Sequence, residues 1–585
     1  MVTAALAVVV LLLAAFYGWR WWSQPQTPAL ATPVPAPVAA SPLTLDAPPS
    51  VDPGAALLLT PPPSGGELRE AVAADATGFN PLFAGDPAGS RVVDLLYPRL
   101  VGQDPSGGFP VPTELAQRWE ASPDGRTYTF TLRAGVTWSD GTPVSAADVK
   151  FTYDALADAR TQSPFRDRAA AIAAVDAPDA HTAVVTLRSP SCSALLSLRQ
   201  PLLPSHRYAP DFSDLHTNPL NGAPAVSAGP FRFAEHRPGE RIVLARDEGY
   251  WKGAPRLDRW VLQVIPDAAA RRQAVESGAV DLVALDGQVI VQGGLPAGPQ
   301  ITAYDYPADG YTVLALNLAD PANPQPGRAA AGAAVDQPPH PVLGDGAVRQ
   351  AIAEALDTRR LLDEVWQGQG YPLNSYVLPT VGWAAADLPT VLYDPGRAAQ
   401  RLAEAGWTDP DGDGLRAAGD RPLRLTLQTN EDNPLRVQLA GRIAAQLRSV
   451  GFQIDLAVGP FEEVSAALLD QRFDLAVIGW ENVGADPALS PFWHSREDRP
   501  GVGFNVTSFH DAEVDGWLDA ADQMPGCGLD GRGAVYRQVQ ERLAQSHPYI
   551  FLAGHKAAWV YANRWQGLAP GPWGLTYNVE AWALR

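Results

Sequence analysis

Residues 116–149 open with Ala116-Gln-Arg-Trp119-Glu-Ala-Ser122-Pro-Asp124-Gly125. They continue through Tyr128-Thr-Phe130-Thr-Leu-Arg133-Ala-Gly135-Val136-Thr-Trp138-Ser139-Asp140-Gly141-Thr-Pro143 and close on Ala147-Asp148-Val149. From Tyr128 to Arg133 the chain alternates in the period of a strand, and Asp124-Gly125 supplies the turn before it. Ser145 with Asp148 three residues on marks a helix start, the serine as N-cap and the aspartate in the capping-box position. Strand, turn and capped helix in one short stretch point to mixed α and β structure.

The same alternation extends outward. Arg241–Ala245 and Val261–Ile265 read as strands, and Val348–Leu362 as an amphipathic helix with a basic pair near its end. Leu423–Leu427, the helix Leu435–Ser449 and Gln453–Leu456 give a β-α-β sequence, and Phe473–Ile478 adds a strand. Such alternation indicates an α/β fold whose sheets are covered by helices. Asp320–Pro341, rich in Ala, Pro and Gly, reads as an exposed insertion.

Composition bounds the class. At 585 residues the chain is too long for one core, so two or more lobes are expected. Hydrophobic residues at 46% and charged residues at 18% exclude global disorder. A net charge of −20, with Lys150, Lys252 and Lys556 the only lysines, argues against a nucleic-acid partner. Cys192 and Cys527 make no disulfide framework; they are bridged or both free.

Residues 1–22 form an apolar run closed by Trp19-Arg20-Trp21-Trp22, long enough for a membrane helix with interfacial tryptophans. No Lys or Arg precedes the run, which favours an uncleaved anchor over a cleaved signal peptide, although Ala29-Leu30-Ala31 fits a cleavage pattern. Arg20 taken alone favours a cytoplasmic body, against export. Residues 23–66, with prolines throughout, read as a semi-rigid spacer between membrane and body.

The 116–149 stretch resembles the signature of family 5 extracellular solute-binding proteins, the dipeptide, oligopeptide and nickel receptors of ABC importers. The resemblance continues at Gly229-Pro230-Phe231, Gly249-Tyr250-Trp251-Lys252-Gly253, Val348-Arg349-Gln-Ala351-Ile352, Tyr393-Asp394-Pro395, Ala405-Gly406-Trp407, Gly479-Trp480, Asp486-Pro487 and Pro548-Tyr-Ile550. It spans residues 67–585 in consistent order. It implies a bilobed periplasmic-binding-protein type II fold, or Venus flytrap, with a discontinuous first lobe and a two-strand hinge. Residues 67–315 and 546–585 would form lobe I and residues 316–545 lobe II. It implies an extracytoplasmic importer component that captures a peptide or other small solute and engages ABC permease subunits. A sensor or chaperone-like ectodomain using the same clamp is the alternative, and a peptide hydrolase a distant one.

The resemblance also directs attention to a strand end. Trp480, Glu481 and Asn482 should open toward the cleft, and relatives that grip a peptide amine place an aspartate three residues after this tryptophan. Here that residue is Val483, which cannot pair with an ammonium; Glu481 or Asp486 could substitute. Trp480, Trp383 and Tyr376 are candidates for stacking on a ligand, with packing of the lobe as the alternative for each. Trp138-Ser-Asp-Gly141 is expected to be structural. Asp409, Asp411, Asp413 and Asp420 reproduce carboxylate positions of a calcium loop, but position 12 is Asp and a strand follows, so a plain turn is favoured and no cofactor is expected. No nucleophile elbow, zinc helix or phosphate loop is present, which argues against an enzyme.

Overall fold

The computed structural model describes residues 64–585 apart from 107, 192, 330–331, 382, 386, 482–483, 485–487 and 525–528. The apolar N-terminal run, nearly all of the Pro-rich spacer, both cysteines, Asn482, Val483 and Asp486 lie outside the described residues. Among the described residues no helix is long and apolar enough to cross a membrane.

One mixed sheet runs through the molecule. Its main strands are β1 (Glu67–Val72), β2 (Phe231–Arg237), β3 (Arg241–Arg246), β4 (Arg259–Val264), β5 (Leu282–Leu285), β6 (Ile301–Leu316), β7 (Arg424–Asn430), β8 (Gln453–Gly459), β9 (Leu475–Glu481) and β10 (Tyr549–Ala562). The order is β8-β7-β9-β6-β10-β5-β1-β4-β3-β2, and Gly370–Tyr371 pairs with β10 as the eleventh strand. β1 pairs in parallel with β4 and β5, and β7 in parallel with β8 and β9. The two parallel groups are joined only through the antiparallel pair β6 and β10.

Each half of the sheet is covered on both faces. In β6, Leu314 and Leu316 enter a core with Ile443 and Leu447 of the helix Pro434–Ser449. Val313 and Ala315 enter a second core with Trp493 and Tyr536. Successive residues of a strand point to opposite faces, so a stretch buried on both sides must be apolar throughout, as Val313–Leu316 is. In the other half, Leu68, Trp260 and Leu262 pack with Trp582 on one face, and Val283, Ala558 and Val560 line a core on the other. Trp582 comes from the end of the chain, which makes the first lobe discontinuous.

β6 and β10 break register where the halves meet. Pro307 opposes Lys556 and Tyr311 opposes Gly554, so four steps on β6 face two on β10. Proline has no amide to donate to the ladder, and a bulge is where a sheet tolerates that loss. The joint therefore falls at Pro307–Tyr311.

A separate four-stranded sheet comprises Ala116–Ala121, Thr127–Leu132, Thr182–Leu187 and Ile172–Asp179 in that order. The capping box at Ser145 and Asp148 is present. Trp138 is 1% exposed and its indole donates to Asp148 Oδ2 at 3.3 Å, so this part of the signature packs the lobe.

One sequence expectation is corrected. The helix over Val348–Leu362 is two helices, Gly346–Ala355 and Thr358–Trp366. Asp357 caps the second by accepting from the Arg360 amide at 2.9 Å, and that new start forces the break. The segment Asp320–Pro341 is largely exposed, as the sequence suggests, and is held to the body by side-chain bonds. Arg328 bonds Asp515 at 2.8 Å and Ser495 at 2.9 Å, and Gln337 bonds Asp498 at 2.7 Å.

His547 ends the helix Ala534–Ser546 in a left-handed conformation just before β10. Burial pushes its imidazole down to about 4 from an ordinary 6.5; the Arg349 and Arg401 cations add to this and Glu354 opposes it. Between those values the unfolded chain takes the proton first. The stabilisation is therefore whole above pH 6.5 and is lost as pH falls toward 4. His547→Asn, which tolerates the same backbone, should flatten the acid-side decline in denaturant midpoint across that window. An unchanged slope would remove His547 as the titrating group.

Candidate functional site

Three strands of the parallel groups end at the joint: β5 at Leu285, β7 at Asn430 and β9 at Glu481. Ligands of open α/β sheets bind beyond the carboxyl ends of such strands. After β5, Asp286 caps a short helix, accepting from the Val289 amide at 2.9 Å. After β7, Asn433 caps the helix Pro434–Ser449, accepting from the Arg436 amide at 3.1 Å. These turns enclose a cavity of about 270 Å3. Asp286 and Gln288 come from one lobe, Trp366, Asn433, Arg436 and Glu481 from the other, and Thr312, His555 and Lys556 from the crossing strands.

The polar groups form an ordered line. Glu481 Oε1 meets His555 Nδ1 at 2.9 Å, and His555 Nε2 meets Thr312 Oγ1 at 2.9 Å. Lys556 pairs with Asp305 at 3.1 Å. Arg436 spends one Nη1 proton on Asn430 Oδ1 at 3.2 Å, while its buried Nε has no partner among the described residues. Burial pushes this guanidinium down, and Glu481 partly offsets the effect. Both side chains lie over glycines. A Cβ at Gly479 would collide with Arg436, and one at Gly310 with Glu481. The cavity thus offers a half-buried guanidinium beside a carboxylate that is 55% exposed.

The residues singled out from sequence are placed as follows. Glu481 lines the cavity. Asn482 lies outside the described residues, as do Val483 and Asp486. Trp480 is half-buried: its ring meets Phe492 edge-on at 4.9 Å and its indole donates to the Tyr549 hydroxyl at 3.3 Å. Tyr376 and Trp383, expected as stacking surfaces, do not line the cavity; they are 2% and 3% exposed. Tyr376 sits among Tyr311, Phe492 and Trp493. Trp383 packs against Tyr536 at 5.3 Å and the Arg532 guanidinium at 5.5 Å. Both belong to a long connection without strands of its own, which needs buried aromatics to fix it to the lobe. Arg436, Thr312, His555 and Lys556 were not singled out. The signal for Arg436 was an Asn-Pro helix start directly after a strand, the position the carboxyl-end rule selects.

The acidic loop brings Asp409, Asp411 and Asp413 oxygens within 4.8 Å, all three residues exposed; Asp420 is not among them. Asp409 accepts from the Gly412 and Gly414 amides at 2.8 and 3.0 Å, which is turn closure.

The lobes also touch away from the cavity. Trp573 Nε1 donates to the Thr380 carbonyl at 3.1 Å, and Phe109 meets Trp383 with centroids 5.5 Å apart. Asp309 accepts from the Gly484 amide at 2.8 Å.

Two lobes on a shared strand pair, with a polar cavity at the strand ends, define a ligand-binding clamp. A profile described as bacterial extracellular solute-binding proteins, family 5 Middle, matches residues 111–499, and the chain belongs to that family. It is 26% identical over 545 residues to the oligopeptide-binding protein AppA of Bacillus subtilis, covering 89% of this chain and 92% of that one. The structure of AppA in complex with a nonapeptide aligns with a TM-score of 0.62 at 23% identity, covering 90% of this chain and all of that one. HbpA2 from Haemophilus parasuis aligns with a TM-score of 0.74 at 22% identity, covering 89% and 100%. The bilobed type II fold implied by the sequence is the fold observed.

Replacing Trp573 by Ala removes both the indole hydrogen bond and part of the apolar contact between lobes. The radius of gyration in solution scattering should rise as the clamp opens. An unchanged scattering profile would show that this contact does not hold the lobes together.

Proposed function

We propose that the chain is the substrate-binding component of an ABC importer and captures short peptides through their carboxylate end. The observation that carries this is Arg436, a half-buried guanidinium that lines the inter-lobe cavity and whose Nε has no partner among the described residues. A guanidinium fork matches a carboxylate in two parallel hydrogen bonds, and such charge-assisted bonds are the strong ones. The relative named as an oligopeptide-binding protein supports the ligand class. Lobe I is taken as residues 67–315 with 546–585 and lobe II as 316–545; closure around the ligand shifts an open–closed equilibrium.

The reading is binding without turnover. Thr312, the hydroxyl in line with His555 and Glu481, is 2% exposed in the middle of a strand, a poor position for a nucleophile. No cofactor enters this reading; the Asp409–Asp420 loop is read as a turn, and a calcium titration should give neither heat nor a melting shift. Residues 1–22 are read as an anchor that holds the body at the outer membrane face. Protease release of the body from intact cells, leaving a small membrane-bound fragment, checks it.

Because Val483 stands where an amine anchor would be expected, an N-acetylated tetrapeptide should bind the purified protein as tightly as its free counterpart. A C-terminally amidated one should bind about tenfold more weakly. Arg436→Gln should abolish the difference between acid and amide. Calorimetry that instead shows a strong preference for the free amine would overturn the carboxylate-end reading.

Gly479→Ala should displace Arg436 by its Cβ and weaken the free-acid peptide by about tenfold. Its stability should fall as well, because the new Cβ would also stand 3.0 Å from the Tyr311 carbonyl oxygen. Equal peptide affinity in calorimetry would show that Arg436 needs no such clearance.

A further inference from the structure

A second cavity, of about 300 Å3, lies in lobe I and shares no lining residue with the first. Four cations face it, in a chain whose net charge is −20. Three are committed. Arg99 pairs with Asp94 and also donates to the Arg199 carbonyl at 2.9 Å. Lys252 pairs with Glu114 at 2.6 Å. Arg91 pairs with Glu70 at 3.2 Å and lies 5.2 Å from the Trp559 ring centre. The fourth, Arg199, pairs with no acid among the described residues. Its buried Nε has no partner among the described residues, and the nearby Asp94 and Glu114 are spent on Arg99 and Lys252. Burial, with Arg99 adding to it, pushes the Arg199 guanidinium down to about 10, though Asp94 and Glu114 oppose the shift. It still carries its charge at neutral pH.

The rest of the wall mixes aromatic rings with polar residues, among them Gln103, Thr113 and Thr576. Tyr250, Trp251, Tyr306, Trp559, Trp573 and Tyr577 surround the space. The loop Gly571–Tyr577 closes over it, held by the Trp573 amide on the Pro105 carbonyl at 3.2 Å. Gly571 passes so close to Pro105 that a Cβ would stand 2.5 Å from its carbonyl oxygen. That approach requires glycine, so the wall is built and not a chance gap.

We propose that this lobe I cavity is a second binding site, for a small ring-bearing carboxylate anchored on Arg199. One uncommitted cation matches one negative charge, which selects a carboxylate over a phosphate dianion. The guanidinium fork takes both carboxylate oxygens, and the aromatic wall takes the ring. A buried charge left without a counter-charge is costly, and the ligand removes that cost. The site is independent of the peptide reading, since neither Arg436 nor Glu481 belongs to it.

The test is calorimetry on the purified protein with 2-naphthoate, with 2-naphthamide as the uncharged isostere and 2-naphthyl phosphate as the dianion. Naphthoate should bind saturably, and the amide and the phosphate about tenfold more weakly or worse. Arg199→Gln should lose about tenfold in naphthoate affinity and keep its affinity for the free-acid tetrapeptide. Arg199→Lys retains the buried charge, guards against a folding failure of the Gln variant, and should still bind more weakly because a point charge cannot fork. Arg436→Gln should bind naphthoate as the unmodified protein does. Equal affinities in the unmodified and Arg199→Lys proteins would overturn the proposal. So would tighter binding of the phosphate, loss of naphthoate binding in Arg436→Gln, or no saturable heat.

Discussion

Pro307 withholds an amide from the ladder between two long antiparallel strands, and the relation between the lobes follows from that point. On one side the strands pair Ile301–Pro307 with Lys556–Ala562; on the other, Tyr311–Ala315 with Tyr549–Gly554. Each stretch is locked to its own lobe by a neighbouring antiparallel strand, β5 on β10 and β9 on β6, and by cores on both faces. The bulge between them is where register is free to give. Glycines gather there as well. Gly310 and Gly479 leave room for Glu481 and Arg436 to lie on the sheet, and Gly554 does so for Tyr371. A joint that lacks one hydrogen bond and several side chains becomes both the most compliant part of the sheet and the place with space for a ligand.

Charge is distributed against the grain of the whole molecule. The chain is strongly acidic, yet each cavity is lined by an arginine whose Nε has no partner among the described residues. In a medium of low effective dielectric such a group interacts strongly with a ligand charge, whereas the exposed acidic surface is screened by salt within roughly 8–10 Å. The net charge therefore describes how the body behaves in solution. The two cavity arginines bear on what it holds.

Local patterns were legible where a residue acts on its immediate neighbours. The strand at Tyr128 and the capping box at Ser145 depend on spacing alone, and so does the β-α-β unit from Leu423 to Leu456; all three appear in the structure. The helix over Val348–Leu362 was misjudged because Asp357 both continues an amphipathic pattern and caps a new helix, and the cap prevails. Aromatic residues were the least legible. Tyr376 and Trp383 read from sequence as either stacking surfaces or packing of the lobe, and both are packed, since a ring in a strandless connection gains more by burial than by waiting for a ligand. Arg436 was passed over for the opposite reason. An arginine early in a helix looks like surface charge until the strand before it is seen to end in a cleft. Glu481 was found because it follows directly from the strand end.

An eleven-stranded sheet that runs unbroken through both lobes makes the connection between them a torsion bar rather than a pin. Opening must be accommodated as twist and bend distributed along hydrogen-bonded strands, with the bulge at Pro307 as the softest segment. The restoring force is then a property of the sheet itself, present whether or not anything occupies the cleft, and its stiffness is set by strand pairing rather than by the ligand.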